Sequence, residues 1–214
     1  MGRRALRKID PNIDLTRFYV ESERLPNPWD AGQLFGREAP LVIEVGSGKG
    51  LFIARAAADH PERNLLGIEL ARKYARLSAL KLARIAAEHA KMVQGDAQPI
   101  FADLLPSGSV SEVHIYFPDP WWKKRHRRRR IMNETFVSNV QRVLSRGGKL
   151  HFWSDVEEYF EIGLELIRTV TELQGPHTPT AEPAEDDLDY RTHFERRMRQ
   201  HGLDVFRSQF TKSG

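Results

Sequence analysis

Residues 41–50, LVIEVGSGKG, decide how the rest of this sequence is read: an apolar run interrupted by one acid, Glu44, ends in three glycines within five positions. Leu41, Val42, Ile43 and Val45 are mostly β-branched, the composition of a strand buried on both faces in a parallel sheet. Gly46, Gly48 and Gly50 let the backbone turn sharply and let a ligand come close to it. A helical pattern begins at once at Leu51. The segment is therefore a strand, a glycine turn and a helix, the nucleotide-binding unit of open α/β sheets. A tight turn that binds nothing has the same look, and only the surrounding motifs separate the two.

The spacing discriminates between ligands. Lys49 is followed by Gly50 rather than Ser or Thr, so the turn lacks the ending of a phosphate-cradling loop, and Leu51 stands where G-x-G-x-x-G needs its third glycine. Glu44 argues the same way: a carboxylate at a strand end repels a diphosphate and suits a cationic or hydroxyl-rich ligand. S-adenosylmethionine, with its sulfonium, ammonium and ribose, is such a ligand. The E-x-G-x-G arrangement of Glu44, Gly46 and Gly48 resembles the first motif of the class I methyltransferases, which makes these three residues candidates for cofactor binding.

Length and composition bound the remaining choices. The 214 residues, 40% of them hydrophobic, suit one domain with a full core. No cysteine is present, so there is neither a disulfide framework nor a thiolate metal site, and no metal is expected. No apolar run approaches the ~20 residues of a membrane span. The start, MGRRALRKID, has no apolar stretch behind its charges and does not read as a signal peptide. A cytoplasmic monomer or homodimer is the expectation. Residues 1–40 read as a basic arm carrying Arg3, Arg4, Arg7 and Lys8, then a turn-rich lead-in anchored by Trp29, Leu34 and Phe35; residues 41–214 read as the single catalytic domain.

Along the chain, the pattern predicts a helix over Leu51–Asp59, a strand over Asn64–Leu70 ending beside Glu69, and a helix over Ala71–Glu88. Glu69 lies 19 residues beyond Gly50, close to the ~20-residue offset at which a strand-end acid meets ribose hydroxyls. A third strand, Lys91–Ala97, again ends in an acid, Asp96. Three successive strands ending in Glu44, Glu69 and Asp96 line one edge of such a sheet, where they can meet the methionine end, ribose and adenine of one cofactor. A short helix over Gln98–Leu105 leads to a fourth strand, Glu112–Phe117. Beyond it the pattern predicts a helix over Met132–Leu144, a fifth strand over GGKLHFWSD, a helix from Val156 to Val170, an exposed loop over Thr171–Asp189 and a last strand over Leu203–Phe210.

The fourth strand runs into FPDPWWKKRHRRRR, residues 117–130: a rigid Pro-Asp-Pro turn, two tryptophans, then seven Lys or Arg and one His in eight residues. A rigid acid beside aromatic surface and dense positive charge is what holds a nucleic-acid base near a reacting centre. The same run has a second reading, as a solvated loop or a localisation-like patch, and its position next to the cofactor edge is what favours the functional one.

These residues carry a family resemblance. IEVGSGKG, GIE, GDA, the FPDPW-x-KKRH segment, the strand-end WSD and T-x-x-E near the carboxyl terminus resemble the bacterial tRNA (guanine-N7-)-methyltransferases, the TrmB family, from about Leu41 to Lys212. The chain departs from the usual FPDPWPKKRH in having Trp122 where proline is common. The resemblance implies a Rossmann-like class I methyltransferase fold: a doubly wound, mostly parallel α/β sheet of about seven strands with an antiparallel last strand. It implies that Glu44, Glu69, Asp96 and Asp119 bind S-adenosylmethionine and that Asp119 also serves catalysis. It implies that Lys123, Asp155 and Thr192, His193, Phe194 and Glu195 contact the target guanosine, and that Arg125, His126, Arg127, Arg128, Arg129 and Arg130 lie along the tRNA. The implied reaction is methyl transfer to N7 of a guanine in the tRNA variable loop. The alternatives are another RNA or protein methyltransferase and a non-catalytic RNA-binding protein on a Rossmann-like scaffold. Two motifs also have structural readings: Ser154 with Glu157, and Thr192 with Glu195 before Gly202, each fit a helix capping box.

Overall fold

The strand over Leu41–Val45 forms with the bounds its composition predicts and sits at the centre of the sheet in the computed structural model, which describes residues 13–179 and 204–214. In chain order the elements are β1 (Tyr19–Glu21), α1 (Ala31–Phe35), β2 (Leu41–Val45), α2 (Leu51–Asp59), β3 (Asn64–Glu69), α3 (Arg72–Arg84) and β4 (Ala90–Gln94). They continue with α4 (Ala97–Pro99), which runs into a π turn, then β5 (Val110–Tyr116), a 3-10 turn (Lys124–Arg129), α5 (Glu134–Val143), β6 (Leu144–Ser154), α6 (Glu157–Val170), β7 (Gln174–His177) and β8 (Phe206–Thr211). The strands form one sheet in the order β1-β4-β3-β2-β5-β6-β8-β7. Every pairing is parallel except those of β8, which runs antiparallel to β6 and β7.

This order positions the site. From β2 the chain winds outward through β3 and β4, then crosses back to β5 and winds the other way, so the switch in direction falls between β2 and β5. A crevice opens at the carboxyl ends of the strands at such a point. Both faces of the sheet are covered, as the unbroken apolar strands predict: Leu41, Ile43 and Val45 pack in the core layer of α5 and α6, while Val42 packs in the layer of α2 and α3. Glu44 shares the Val42 face, so its carboxylate is carried inward.

Two short strands go beyond the elements that the pattern singles out. Tyr19–Glu21 adds to the edge beside β4, and Gln174–His177, inside the stretch expected as an exposed loop, pairs with β8. Phe35 is buried, with Trp29 and Leu34 packed against its cluster, so the three expected anchors do hold the lead-in. The third helix stops at Arg84 rather than Glu88 because Ala86 turns left-handed, at φ 51°, and directs the chain into β4. Ser154 does not form the expected capping box. Its hydroxyl accepts from Val156 N at 3.1 Å, Val156 takes the cap position, and Asp155 stays outside the first turn of α6.

One polar network crosses the apolar interior. Glu112, His114 and Tyr116 alternate on β5 toward α2, and His151 on β6 lies opposite His114 in register. Glu112 accepts from Arg63 at 2.7 Å and lies 3.2 Å from His114 Nε2 and 3.7 Å from His151 Nε2, while His114 Nδ1 meets the Tyr116 hydroxyl at 2.7 Å. The two imidazoles stack 4.5 Å apart and 5° from parallel. In-plane lone pairs of parallel rings do not converge on one ion, and Arg63 already holds the other Glu112 oxygen, so the cluster reads as a hydrogen-bonded network.

Burial by itself would raise the pKa of Glu112, but hydrogen bonds from the two histidines and the charge of Arg63 outweigh it and hold the carboxyl well below the ordinary carboxylate range. Because the folded value lies below the unfolded one, the stabilisation is complete above about pH 4 and is lost as pH falls further. Glu112→Gln is expected to cost about 1.5 to 3 kcal/mol at neutral pH. Calorimetric melting should show the gap to wild type narrowing below about pH 4. A gap of constant width through that range would rule out the charged network.

Candidate active site

The glycine turn is held by its own backbone and by two side chains from other elements. Gly46 N and Ser47 N donate to Ile68 O at 2.8 and 3.1 Å, which fixes the turn against the end of β3. Gly48 N donates to Glu69 Oε2 at 2.8 Å, and Gly48 O accepts from the Ser78 hydroxyl at 2.9 Å. Gly50, at φ 67°, opens α2 in a left-handed conformation that disfavours a side chain. A Cβ there would lie 2.5 Å from Ser78 Cβ and 2.9 Å from its Cα. The absence of a side chain at Gly50 is what lets α3 come close enough for Ser78 to reach the turn. Ser78 carries no motif; its only sequence signal is a small polar residue on the inward face of a helix.

The expected cofactor acids sit at the carboxyl ends of adjoining strands, in different environments. Glu44 is 3% exposed, and its Oε2 is buried with no hydrogen-bond partner. Burial outweighs the opposing hydrogen bonds from Ser47 and the Ile53 backbone and the charge of Lys81 and, assisted by the neighbouring charge of Glu69, pushes its carboxyl up to about 7. Glu69 splits its oxygens, Oε2 accepting from Gly48 N and Oε1 from Ala71 N at 2.8 Å, so it ties the turn to the start of α3 and keeps lone pairs on both oxygens. Asp96 is exposed and caps α4 through Gln98 N at 3.0 Å. Gln98 in turn accepts from Asn133, the cap of α5, at 3.1 Å.

Across the switch point, β5 ends in the Pro-Asp-Pro turn. Phe117 and Trp121 adopt positive φ, 52° and 43°, on either side of it. Left-handed conformations at bulky residues cost about 1 to 3 kcal/mol each and cluster at functional sites. Asp119 is exposed at the apex. Asp155, half-buried, follows β6, and the register that pairs Tyr116 with Trp153 sets Asp119 and Asp155 beyond the ends of neighbouring strands.

The basic run is not uniformly solvated. In a 3-10 turn residues three apart share a face, and His126 and Arg129 both lean on Trp121, at 5.5 Å edge-on and 5.2 Å over the ring. Arg130 lies over both Trp122 and Tyr159, at 5.4 and 5.3 Å, and donates from Nε to Pro120 O at 2.6 Å. Trp122 stays 42% exposed at the lip of the site. Lys123 and Arg125 are exposed cations. The side chains of Arg127 and Arg128, the arm cations Arg3, Arg4, Arg7 and Lys8, and Thr192, His193, Phe194, Glu195 and Gly202 lie outside the described residues. No helix among the described residues is long and apolar enough to cross a membrane.

Glu44 has a stability signature. Its folded pKa, about 7, lies above the ordinary 4.5, so the folded protein resists ionising it. The resulting penalty is absent below about pH 4.5, grows as pH rises and is complete above about pH 7, at an order of 3 kcal/mol. Glu44→Gln is therefore expected to raise the melting temperature of the ligand-free protein at about pH 8 and to change it little at about pH 4.5. The same substitution should weaken cofactor binding. A variant no more stable than wild type at the higher pH would contradict a net penalty for burying this carboxylate.

Comparisons with known proteins show the fold and the family. The profile of a family described as "Putative methyltransferase" matches residues 38–208. A tRNA (guanine-N(7)-)-methyltransferase of Rhodopirellula baltica is 48% identical across 99% of this chain and 80% of its own. The protein of that name from Alkalilimnicola ehrlichii is 34% identical across 91% and 82%. Among solved structures, the 16S rRNA methyltransferase KamB superposes with a TM-score of 0.59 at 15% identity, covering 85% of this chain and 92% of that one. An aminoglycoside-resistance methyltransferase superposes at 0.55 and 18% identity, over 83% and 89%. At these identities the structural likeness is one of fold: a class I methyltransferase sheet, as the glycine turn and the row of strand-end acids require. Sequence identity maintained along almost the whole length adds the narrower conclusion that the chain belongs to the tRNA (guanine-N(7)-)-methyltransferase family.

Proposed function

We propose that this protein transfers a methyl group from S-adenosylmethionine to N7 of a guanine in the variable loop of tRNA, in the cytoplasm. The observation that carries the reading is the crevice itself: a preformed glycine turn with, on one side, a buried carboxylate one of whose oxygens has no hydrogen-bond partner, and on the other a strained acidic turn bordered by tryptophan and exposed cations. The donor set fits the cofactor. Glu44 Oε2 lacks a partner, as a carboxylate awaiting a cationic group would, and Glu69 retains lone pairs for hydroxyls. Asp96 stands exposed at the end of the next strand.

When bound, S-adenosylmethionine supplies an electrophilic methyl group on a sulfonium centre. Guanine N7 keeps its lone pair in the plane of the base, free even when the base is paired, and needs no deprotonation before it attacks. The protein therefore has no need of a strong general base. Its residues orient the base, which supplies up to ~7 to 11 kcal/mol of the barrier reduction, and steady the positive charge that appears on the purine. Asp119 takes the second role, with Asp155 at the end of the adjoining strand. Lys123 and Arg125, both exposed beside the turn, take phosphates.

Incubation with bulk tRNA and methyl-labelled S-adenosylmethionine, followed by nucleoside analysis, tests the reading. Labelled 7-methylguanosine mapped to the variable loop is the expected product, and any other methylated nucleoside, or none, overturns it. Asp119→Asn should slow single-turnover methylation about a hundredfold or more with little change in tRNA affinity. Asparagine turns as well as aspartate, so a rate within about threefold of wild type would make Asp119 a turn residue only. Lys123→Ala with Arg125→Ala should weaken tRNA binding and make its salt dependence shallower, by up to ~0.9 in log K against log salt for each phosphate no longer neutralised. Titrations of unchanged slope would remove both residues from the RNA interface.

A further inference from the structure

Arg130 ends the basic run, yet its contacts differ from those of an RNA-binding cation. Its Nε donates to Pro120 O at 2.6 Å, and its guanidinium carbon lies 5.4 Å from the Trp122 ring centre and 5.3 Å from that of Tyr159. Tyr159 is a fully buried residue of α6. The backbone of Arg130 is anchored as well: its carbonyl accepts from Asn133 Nδ2 at 3.0 Å, and Asn133 caps α5 through Phe136 N. One side chain thus joins the strained turn, the exposed tryptophan and the buried face of α6, and its backbone is tied to the head of α5.

The turn needs such a hold. Pro118 and Pro120 have no N–H to donate, and the left-handed conformations at Phe117 and Trp121 persist only where the surroundings impose them. Phe117 N donates to Trp153 O at 2.9 Å at the start of the turn; Arg130 takes the carbonyl of Pro120 at its end, one residue before Trp121. A guanidinium is suited to this double task, because its planar fork donates at its edge while its face lies on aromatic rings.

We propose that Arg130 is a positioning residue for the Pro118–Asp119–Pro120 turn, setting where the Asp119 carboxylate stands, and is not one of the cations that hold RNA phosphates. The proposal rests on the methyl-transfer reading for the role of Asp119. It separates from that reading because the state of the turn can be measured without any reaction.

The test uses the full chain with Arg130→Ala and Arg130→Lys, after thermal melting has shown that each is folded. In the free protein, exchange of the Phe117 amide, which the turn holds against Trp153 O at 2.9 Å, should speed up at least tenfold in the alanine variant and less in the lysine variant, which keeps a charge and a donor but not the planar fork. Unchanged exchange overturns the proposal whatever the enzyme methylates. With saturating tRNA and cofactor, single-turnover methylation should fall at least tenfold in the alanine variant while tRNA affinity stays within about threefold and its salt slope is unaltered. A weaker, shallower salt dependence with an intact saturated rate would make Arg130 a phosphate contact instead. If Arg130 acts through Asp119, Asp119→Asn with Arg130→Ala should be little slower than Asp119→Asn alone, and fully multiplicative losses would refute that route. Should the alanine variant not fold, the lysine variant decides by the same readouts: faster exchange and slower turnover at wild-type tRNA affinity support positioning, and wild-type exchange excludes it. Failure of wild type to form 7-methylguanosine overturns the proposed reaction and leaves the exchange result to decide the role of Arg130 in the turn.

Discussion

The close packing of α3 on the glycine turn is the constraint on which the cofactor side of the crevice depends. Gly50 leaves no room for a side chain against Ser78, and that contact brings the Ser78 hydroxyl to the carbonyl of Gly48. The N–H of the same residue is taken by Glu69 from the end of β3. Both polar groups of Gly48 are thus satisfied before any ligand arrives, and the turn keeps its shape without one. A ligand that meets a preformed turn does not have to order it, so more of the contact energy remains available as affinity.

Charge is handled in opposite ways at two depths of the same sheet face. Glu112 is met by Arg63 and by two histidines, which hold its carboxyl down despite partial burial. Glu44 is buried more deeply with less compensation, and its carboxyl is pushed up. The first arrangement stabilises the fold. The second is local instability kept at the edge proposed to bind the cofactor, whose cationic group would supply a partner for the free oxygen. Asp96 and Asp119, by contrast, stand exposed.

The tryptophans divide the basic run between two jobs. His126 and Arg129 lie against Trp121 and Arg130 against Trp122, so part of the positive charge builds the wall of the site, while Lys123 and Arg125 remain exposed. Trp122, standing where the resembled family commonly has proline, gives one guanidinium an aromatic face on which to rest. A site that must hold a flat base and a phosphate chain benefits from this division. Rigid aromatic walls orient the base, and exposed cations attract the backbone from a distance.

The sequence by itself determined most of the elements and the sheet edge on which the candidate site lies. The bounds of β2 and α2 follow from short-range rules of side-chain branching, glycine turns and proline stops, and the acids Glu44, Glu69 and Asp96 follow from where those strands end. Within residues 117–130 the Pro-Asp-Pro turn was legible because proline fixes its own backbone. What each charge does was not legible there. Arginines 125, 129 and 130 look alike in a run of cations, yet the first two are exposed, Arg129 leaning on Trp121, while Arg130 grips Pro120 and Tyr159. Ser78 carries no motif, and Ser154 with Glu157 matches a capping box that Val156 displaces. Local pattern fixes backbone conformation because its causes lie within a few residues. The role of a side chain depends on partners from distant parts of the chain, and only the packed fold brings them within bonding distance.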